Sequence, residues 1–255
     1  MCNDARGVLY PNELPDFQRR AAPADLRHLV RWFWVPRWNI SSGKELVQKV
    51  LPFPAANLVV EPSGTVLVGA TTGASTRTLR GSGWAVGALL RPAAFGELHA
   101  EPARLRDNEE KFDAHDLQAT INEAMPDDID AAIRAYEQWL RGRIRSISEA
   151  GVLANTMEDL IAEDREITRV QQVANKLLIS MRGVQRLAQR FVGVPPLVMI
   201  RRYRLQEAAL QIREQPDLSL SELASKLGYA DQAHLHADFR TVLGQTPLSY
   251  RRQVN

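Results

Sequence analysis

Between Thr168 and Asn255 the chain is written twice, and this repeat constrains its fold more than any other feature. At an offset of 51 residues Ser180 aligns with Asp231, Val184 with Leu235, Ala188 with Phe239, Gly193 with Gly244 and Pro196 with Pro247. Upstream, Ala174 matches Ala224 at an offset of 50, a difference a turn can absorb. Each position has a mechanical meaning. Ser180 and Asp231 are N-caps, whose side-chain oxygens accept from free backbone amides. Val184 and Ala188, like Leu235 and Phe239, lie four apart and share one inward helix face. Gly193 and Gly244 supply the left-handed residue that ends a helix.

A shorter helix precedes each capped one. Val170, Val173, Ala174 and Leu177 form one apolar face, and Leu220, Leu223, Ala224 and Leu227 form the other. Ser219-Leu-Ser-Glu222 is a capping-box sequence, and Thr168-Arg-Val-Gln171 reads as a second. Short helix, turn, capped helix is the helix-turn-helix pattern, whose second helix enters the major groove. Pro196 to Glu214 reads as a long helix joining the two units. From Thr168 onward there are 13 Lys and Arg against 6 Asp and Glu, although the whole chain carries only +2, so the basic charge is concentrated on the repeat. A pair of purely structural helical hairpins is the alternative reading of the repeat, and the basic charge weighs against it.

Ser180 to Pro196, and Gly228-Tyr-Ala-Asp-Gln-Ala-His-Leu235 through Phe239, Gly244, Pro247 and Tyr250-Arg251, resemble the DNA-binding domain of AraC/XylS-type transcription regulators. Departures from the family pattern are Leu178 where the first turn often has Gly, Ala188 where Phe is usual, and Ala237 where Arg is usual. They imply looser packing in the first unit and one DNA contact fewer in the second.

Counting from the caps assigns the exposed residues. On the first recognition helix Met181, Arg182, Gln185, Arg186 and Gln189 face outward, and on the second Gln232, Ala233, His236 and Ala237 do. Arg suits guanine and Gln suits adenine through paired hydrogen bonds. The second face carries less reading chemistry. Arg190, Arg201, Arg202, Arg240, Arg251 and Arg252 are the candidates for phosphate contacts, which hold register without reading sequence. His234 and His236, two apart on a helix, point in different directions and do not suggest a metal site.

Residues from about 8 to 112 read as β-rich. Short apolar runs (57–61, 65–69 and 84–90) are separated by Pro-Ser-Gly, Thr-Thr-Gly and Gly-Ser-Gly turns. One early helix is expected from Pro23 to Val30. From Asp113 the pattern turns helical, with candidates at 116–124, 127–144 and 148–162, and the acidic stretch Glu158 to Glu166 reads as the hinge into the repeat. The helix at 127–144 reads either as a dimer surface or as packing for its own β-rich region.

The expected fold is therefore α+β in two domains. A β-rich N-terminal domain (1–112) with flanking helices is followed by a helical connector (113–167) and an all-α domain (168–255) with two helix-turn-helix units on a long helix. The N-terminal region resembles the β-rich sensor domains that precede AraC-type modules. That resemblance implies a cupin-like or related barrel that takes a small effector, dimerises, or both, with RNA polymerase as a protein partner. Trp32 and Trp34, on one face of a strand, and Arg91 are the effector-binding candidates, against the plainer readings of a core strand and a structural ion pair.

Enzymatic chemistry has no foothold. There is no Gly-rich phosphate loop, zinc motif or nucleophile elbow, and His28, His99 and His115 are isolated, so neither a metal nor a cofactor is expected. The polar opening from Met1 to Asp16 does not read as a secretory segment, no apolar run is long enough to span a bilayer, and Cys2 alone makes no disulfide framework. A cytoplasmic location is the expectation. The expected partner is double-stranded DNA, and a DNA-binding structural or partner-docking protein without an effector is the alternative.

Overall fold

The computed structural model describes residues 16–254; Cys2, the opening segment and the beginning of the expected β-rich stretch lie outside them. Nine strands come first: β1 (Asp16–Ala21), β2 (Val30–Asn39), β3 (Glu45–Val50), β4 (Asn57–Glu61), β5 (Gly64–Val68), β6 (Ser75–Arg80), β7 (Ser82–Trp84), β8 (Val86–Leu90) and β9 (Glu109–Lys111). Helix α1 (Pro92–Leu98) interrupts them before β9, and α2 (His115–Ala124), α3 (Ile129–Arg143) and α4 (Glu149–Glu163) follow. The repeat supplies α5 (Val170–Leu177), α6 (Met181–Phe191), α7 (Pro196–Glu214), α8 (Leu220–Lys226), α9 (Gln232–Leu243) and α10 (Pro247–Val254).

The main sheet runs β1-β2-β8-β4-β5-β9, with β7 beside β2, while β3 and β6 form a separate two-stranded ribbon. Its central strand β8 is buried along its whole length, because both faces of the sheet are covered. Alternation along β2 and β8 divides two cores. Phe33, Val86, Ala88 and Leu90 point to one core, closed by Leu117 and Ile121 of α2 and Tyr136 and Leu140 of α3. Trp32 and Leu89 point to the other, which they share with Met157 of α4 and with Val173, Ala188, Phe191 and Tyr203 of the repeat. The sheet is thus a floor for the helical part as well as a domain of its own.

Two expectations about local structure need correction. The helix expected at Pro23–Val30 is a single 3-10 turn at Ala24–Leu26. Leu26 and Leu29 are buried as the periodicity requires, but the Leu29 carbonyl accepts from the Arg91 amide at 2.8 Å, and the chain enters β2 at Val30. The acidic stretch 158–166 is no hinge over its first part. Glu158 lies inside α4 and is 1% exposed, and only the residues between α4 and α5 form a connection. Of the two readings for the 127–144 helix, packing holds for α3: its Tyr136 hydroxyl donates to the Leu58 carbonyl at 2.7 Å under the sheet.

Candidate nucleic-acid interface

Both recognition helices begin on a capped end. Ser180 Oγ accepts from the Gly183 amide at 3.0 Å, and Asp231 Oδ1 accepts from the His234 amide at 2.7 Å. Val184, Leu187, Ala188 and Phe191 face the core on α6, and Leu235, Phe239 and Val242 do so on α9. Met181, Arg182, Gln185, Arg186 and Gln189 are exposed on α6. On α9 Gln232, Ala233 and Ala237 are exposed and His236 is half-buried. The helices end where the aligned glycines take left-handed backbone, with φ of +85° at Gly193 and +69° at Gly244.

The turn of the first unit carries the departure seen in the sequence. Leu178 adopts φ of +54° with a side chain that is 91% exposed, a conformation that glycine takes without steric cost. The first short helix also starts one residue later than the Thr168 to Gln171 pattern suggests. Gln172, not Gln171, reaches back, and its carboxamide oxygen accepts from the amides of Thr168 at 2.9 Å and Arg169 at 2.8 Å. The second box is as expected: the Glu222 amide donates to Ser219 Oγ at 3.1 Å, and Glu222 Oε2 accepts from the Ser219 amide at 3.2 Å. The Ser219 hydroxyl, which donates to Glu222 Oε2 at 2.7 Å, and then the Ser219 amide hold the Glu222 carboxyl below its ordinary range.

The phosphate candidates divide in two. Arg190, Arg201, Arg240 and Arg252 are exposed, with Arg190 stacked over the Phe191 ring. Arg202 and Arg251 are held by the protein instead. The Arg202 side chain is 12% exposed and lies 3.9 Å from Asp238 on α9, and its burial lowers its pKa. Arg251 donates to the Leu218 carbonyl at 2.6 Å, tying α10 to the loop before α8. Neither arrangement follows from spacing, because each partner is remote in sequence.

Two arginines that sequence reasoning passed over join the basic surface. Arg169, at the start of α5, and Arg204, on α7, line a cleft of about 550 Å³ between the two units, together with Arg201 and His234. Arg204 rests over the Tyr229 ring and donates to the Gly228 carbonyl at 3.3 Å, and desolvation lowers its pKa. His234 packs edge-on to Tyr229, while His236 faces Gln232, so the two imidazoles diverge.

The effector candidates are all engaged by protein groups. Trp32 is 3% exposed, edge-on to Phe53 at 5.6 Å, with the Arg19 guanidinium 4.7 Å above its ring. Trp34 donates to Asn57 at 2.9 Å and covers Gly87, whose missing Cβ leaves the space for the indole. Arg91 makes a two-pronged pair with Asp159 at 2.6 and 2.7 Å, the structural ion pair rather than an open anion site.

A helix-turn-helix domain family matches residues 173–253, and a domain of unknown function (DUF6597) matches residues 18–110. The HTH-type transcriptional regulator AlkR of Acinetobacter baylyi is 24% identical over 153 residues, covering 60% of this chain and 48% of AlkR. The HTH-type transcriptional activator RhaS of Pectobacterium carotovorum is 28% identical over 82 residues, covering 32% of this chain and 29% of RhaS. The chain thus spans less than half the length of these curated relatives. Among solved structures, ToxT from Vibrio cholerae aligns over 93% of this chain and 98% of its own, with 11% identity and a TM-score of 0.48.

Proposed function

We propose, on the premise that this chain belongs to the AraC/XylS-type helix-turn-helix proteins, that it is a sequence-specific DNA-binding transcription regulator. The observation that carries this reading is the pair of capped helices, α6 and α9. Each buries its apolar face while Arg182, Gln185, Arg186 and Gln189 on one, and Gln232 and Ala233 on the other, stand free. We place these two helices in successive major grooves about 34 Å apart on one side of the duplex. Met181, Arg182, Gln185, Arg186 and Gln189 then read bases in the first groove; Gln232, Ala233 and His236 do so, with less discrimination, in the second. Arg190, Arg201, Arg240 and Arg252 contact phosphates, and Arg169 and Arg204 flank the backbone where it passes the cleft between the units.

In this reading the chain divides into residues 1–112, 113–167 and 168–255, and its working site is chromosomal DNA in the cytoplasm. RNA polymerase and a second copy of the chain are the protein partners a regulator of this class would meet. A second reading, a DNA-binding protein whose N-terminal domain braces rather than senses, is favoured by one observation. Trp32, Trp34 and Arg91 are all satisfied by the chain's own groups.

Selection of bound sequences from a random duplex pool tests the main reading. With the selected site in hand, Arg182→Ala and Gln185→Ala should each weaken binding by about 1–3 kcal/mol and relax preference at the bases they contact. Wild-type discrimination in both variants, measured by competition gel shift, would remove the base-reading role of α6.

A further inference from the structure

A buried carboxylate lies in the core behind the first recognition helix. Glu158 of α4 is 1% exposed, yet three side chains from separate elements converge on its carboxylate. Arg31 of β2 lies 3.4 Å from Oε2, and Arg91, between β8 and α1, lies 3.3 Å from the same oxygen. The Tyr203 hydroxyl, from the middle of α7, donates to Oε1 at 2.8 Å. Burial works against the charge on Arg31, and the neighbouring Glu158, Tyr203 and Asp159 more than restore it, so its pKa is raised and it stays a cation.

The same stretch of α7 is docked twice more. Tyr203 stands edge-on to Phe53 at 5.6 Å, and Gln206 donates to the Pro52 carbonyl at 2.7 Å. The N-terminal domain also touches both helix-turn-helix units. Gly96 of α1 lies against the Phe191 ring at the end of α6, the Pro102 carbonyl lies against Gly193, and the Ala74 amide donates to the Val242 carbonyl of α9 at 3.0 Å. One body therefore grips the connecting helix at its centre and a unit near each end.

Apolar surfaces slide over one another at little cost, whereas a buried charge tolerates one arrangement. An apolar replacement of similar shape is often as stable as a buried ion pair, so fixing register is the use such pairs serve best. A helix of 19 residues is about 28 Å long, so a small change in how α7 is seated carries the unit at each of its ends through a larger displacement. One base pair of extra spacing turns the second half-site by about 35° relative to the first. With α7 fixed on the sheet the two units keep one relative orientation, and with its docking loosened they can shift toward the turned half-site.

We infer that Glu158 is a positioning residue for DNA binding: through Tyr203 it fixes α7 on the β-sheet, so that the N-terminal domain sets the half-site spacing the two reading helices accept. The inference rests on the two-groove reading above, and its test has one arm that needs no DNA. Full-length protein with Cys2→Ser, Gln171→Cys and Ser225→Cys carries one spin label on each unit. The distance distribution between labels should be narrow in this background and wider with Tyr203→Phe or Glu158→Gln.

In the second arm, affinity is measured for the selected site and for versions one base pair longer and shorter. The unaltered chain should lose about tenfold at the wrong spacings and the two variants about threefold or less, with base preference inside each half-site unchanged. Distance distributions and spacing penalties equal to those of the unaltered chain in Tyr203→Phe overturn the proposal. That variant removes a single oxygen and keeps the ring, so it decides the matter if Glu158→Gln fails to fold. A chain that selects no DNA at all, yet shows the widening, would instead remove the regulatory reading and leave the brace standing.

Discussion

Gly193 and Gly244 occupy the same position in the two repeats, and replacing each by alanine separates local backbone cost from contact with the N-terminal domain. Both adopt positive φ, at +85° and +69°, where a side chain costs about 1–2 kcal/mol. At Gly244 that is the whole penalty, since an added Cβ would meet nothing within 4 Å. At Gly193 the same Cβ would lie 2.4 Å from the Pro102 carbonyl oxygen and 2.7 Å from its carbon. Both atoms belong to backbone in the short 3-10 segment Pro102–Leu105 and have little room to retreat. Overpacking of this kind costs typically about 1–3 kcal/mol more. For a chain of this size 1 kcal/mol moves Tm by about 2–4 °C. Gly244→Ala should therefore lower Tm by about 3–6 °C, and Gly193→Ala by about twice as much. Differential scanning fluorimetry reads both shifts. Hydrogen exchange at residues 102–105 should rise in Gly193→Ala alone. Equal Tm losses, with unchanged exchange at that segment, would refute the contact between the first unit and the N-terminal domain on which this difference depends.

Leu178→Gly should stabilise the protein. It removes a left-handed penalty of about 1–2 kcal/mol, against which the larger unfolded-state entropy of glycine costs about 0.4–1 kcal/mol, so a net gain of about 0.5–1 kcal/mol should raise Tm by about 1–4 °C; an unchanged or lower Tm counts against the strain. Asp164 is held below its ordinary pKa, first by the Lys176 ammonium that donates to it at 2.7 Å and then by the Glu166 amide. A depressed folded pKa contributes stability above the unfolded value and loses it as pH falls through the folded one. In acid below about pH 4 the wild type should therefore lose stability that Lys176→Met has already lost at neutral pH, and parallel pH profiles for the two would exclude the pair's contribution. If Arg201 and Arg252 contact phosphates, each alanine variant should flatten the dependence of log affinity on log salt by about 0.9, and an unaltered slope would take that residue off the backbone.

The local half of this molecule was written in its sequence. Caps at Ser180 and Asp231, terminating glycines, and the four-residue spacing of Val184 with Ala188 and Leu235 with Phe239 depend only on interactions within a turn or two. They fixed which side chains of α6 and α9 are buried and which are free. The box at Thr168 slipped by one residue because Gln171 and Gln172 offer the same chemistry, and only the path of the chain chooses between them. The helix expected at Pro23 failed for a related reason: its leucines are buried, but pairing with the chain around Arg91 draws the backbone into the sheet after one turn.

What the sequence alone determined is what short-range periodicity and helix caps control: two matched helix pairs, the long helix between them, and which side chains of the two recognition helices are exposed. What only the tertiary structure decided is where charge and aromatic residues find partners across the chain. Glu158 belonged to an acidic run that read as a hinge, Arg202 and Arg251 read as phosphate contacts, and Trp32 and Arg91 read either as effector-binding or as a core residue and a structural ion pair. Each instead packs against or pairs with a group between 21 and 127 residues away, such as Phe53 for Trp32, Leu218 for Arg251 and Arg31 for Glu158. A side chain's need for a partner is local, but which partner arrives is settled by how the sheet and the helices pack, and no spacing along the chain encodes that.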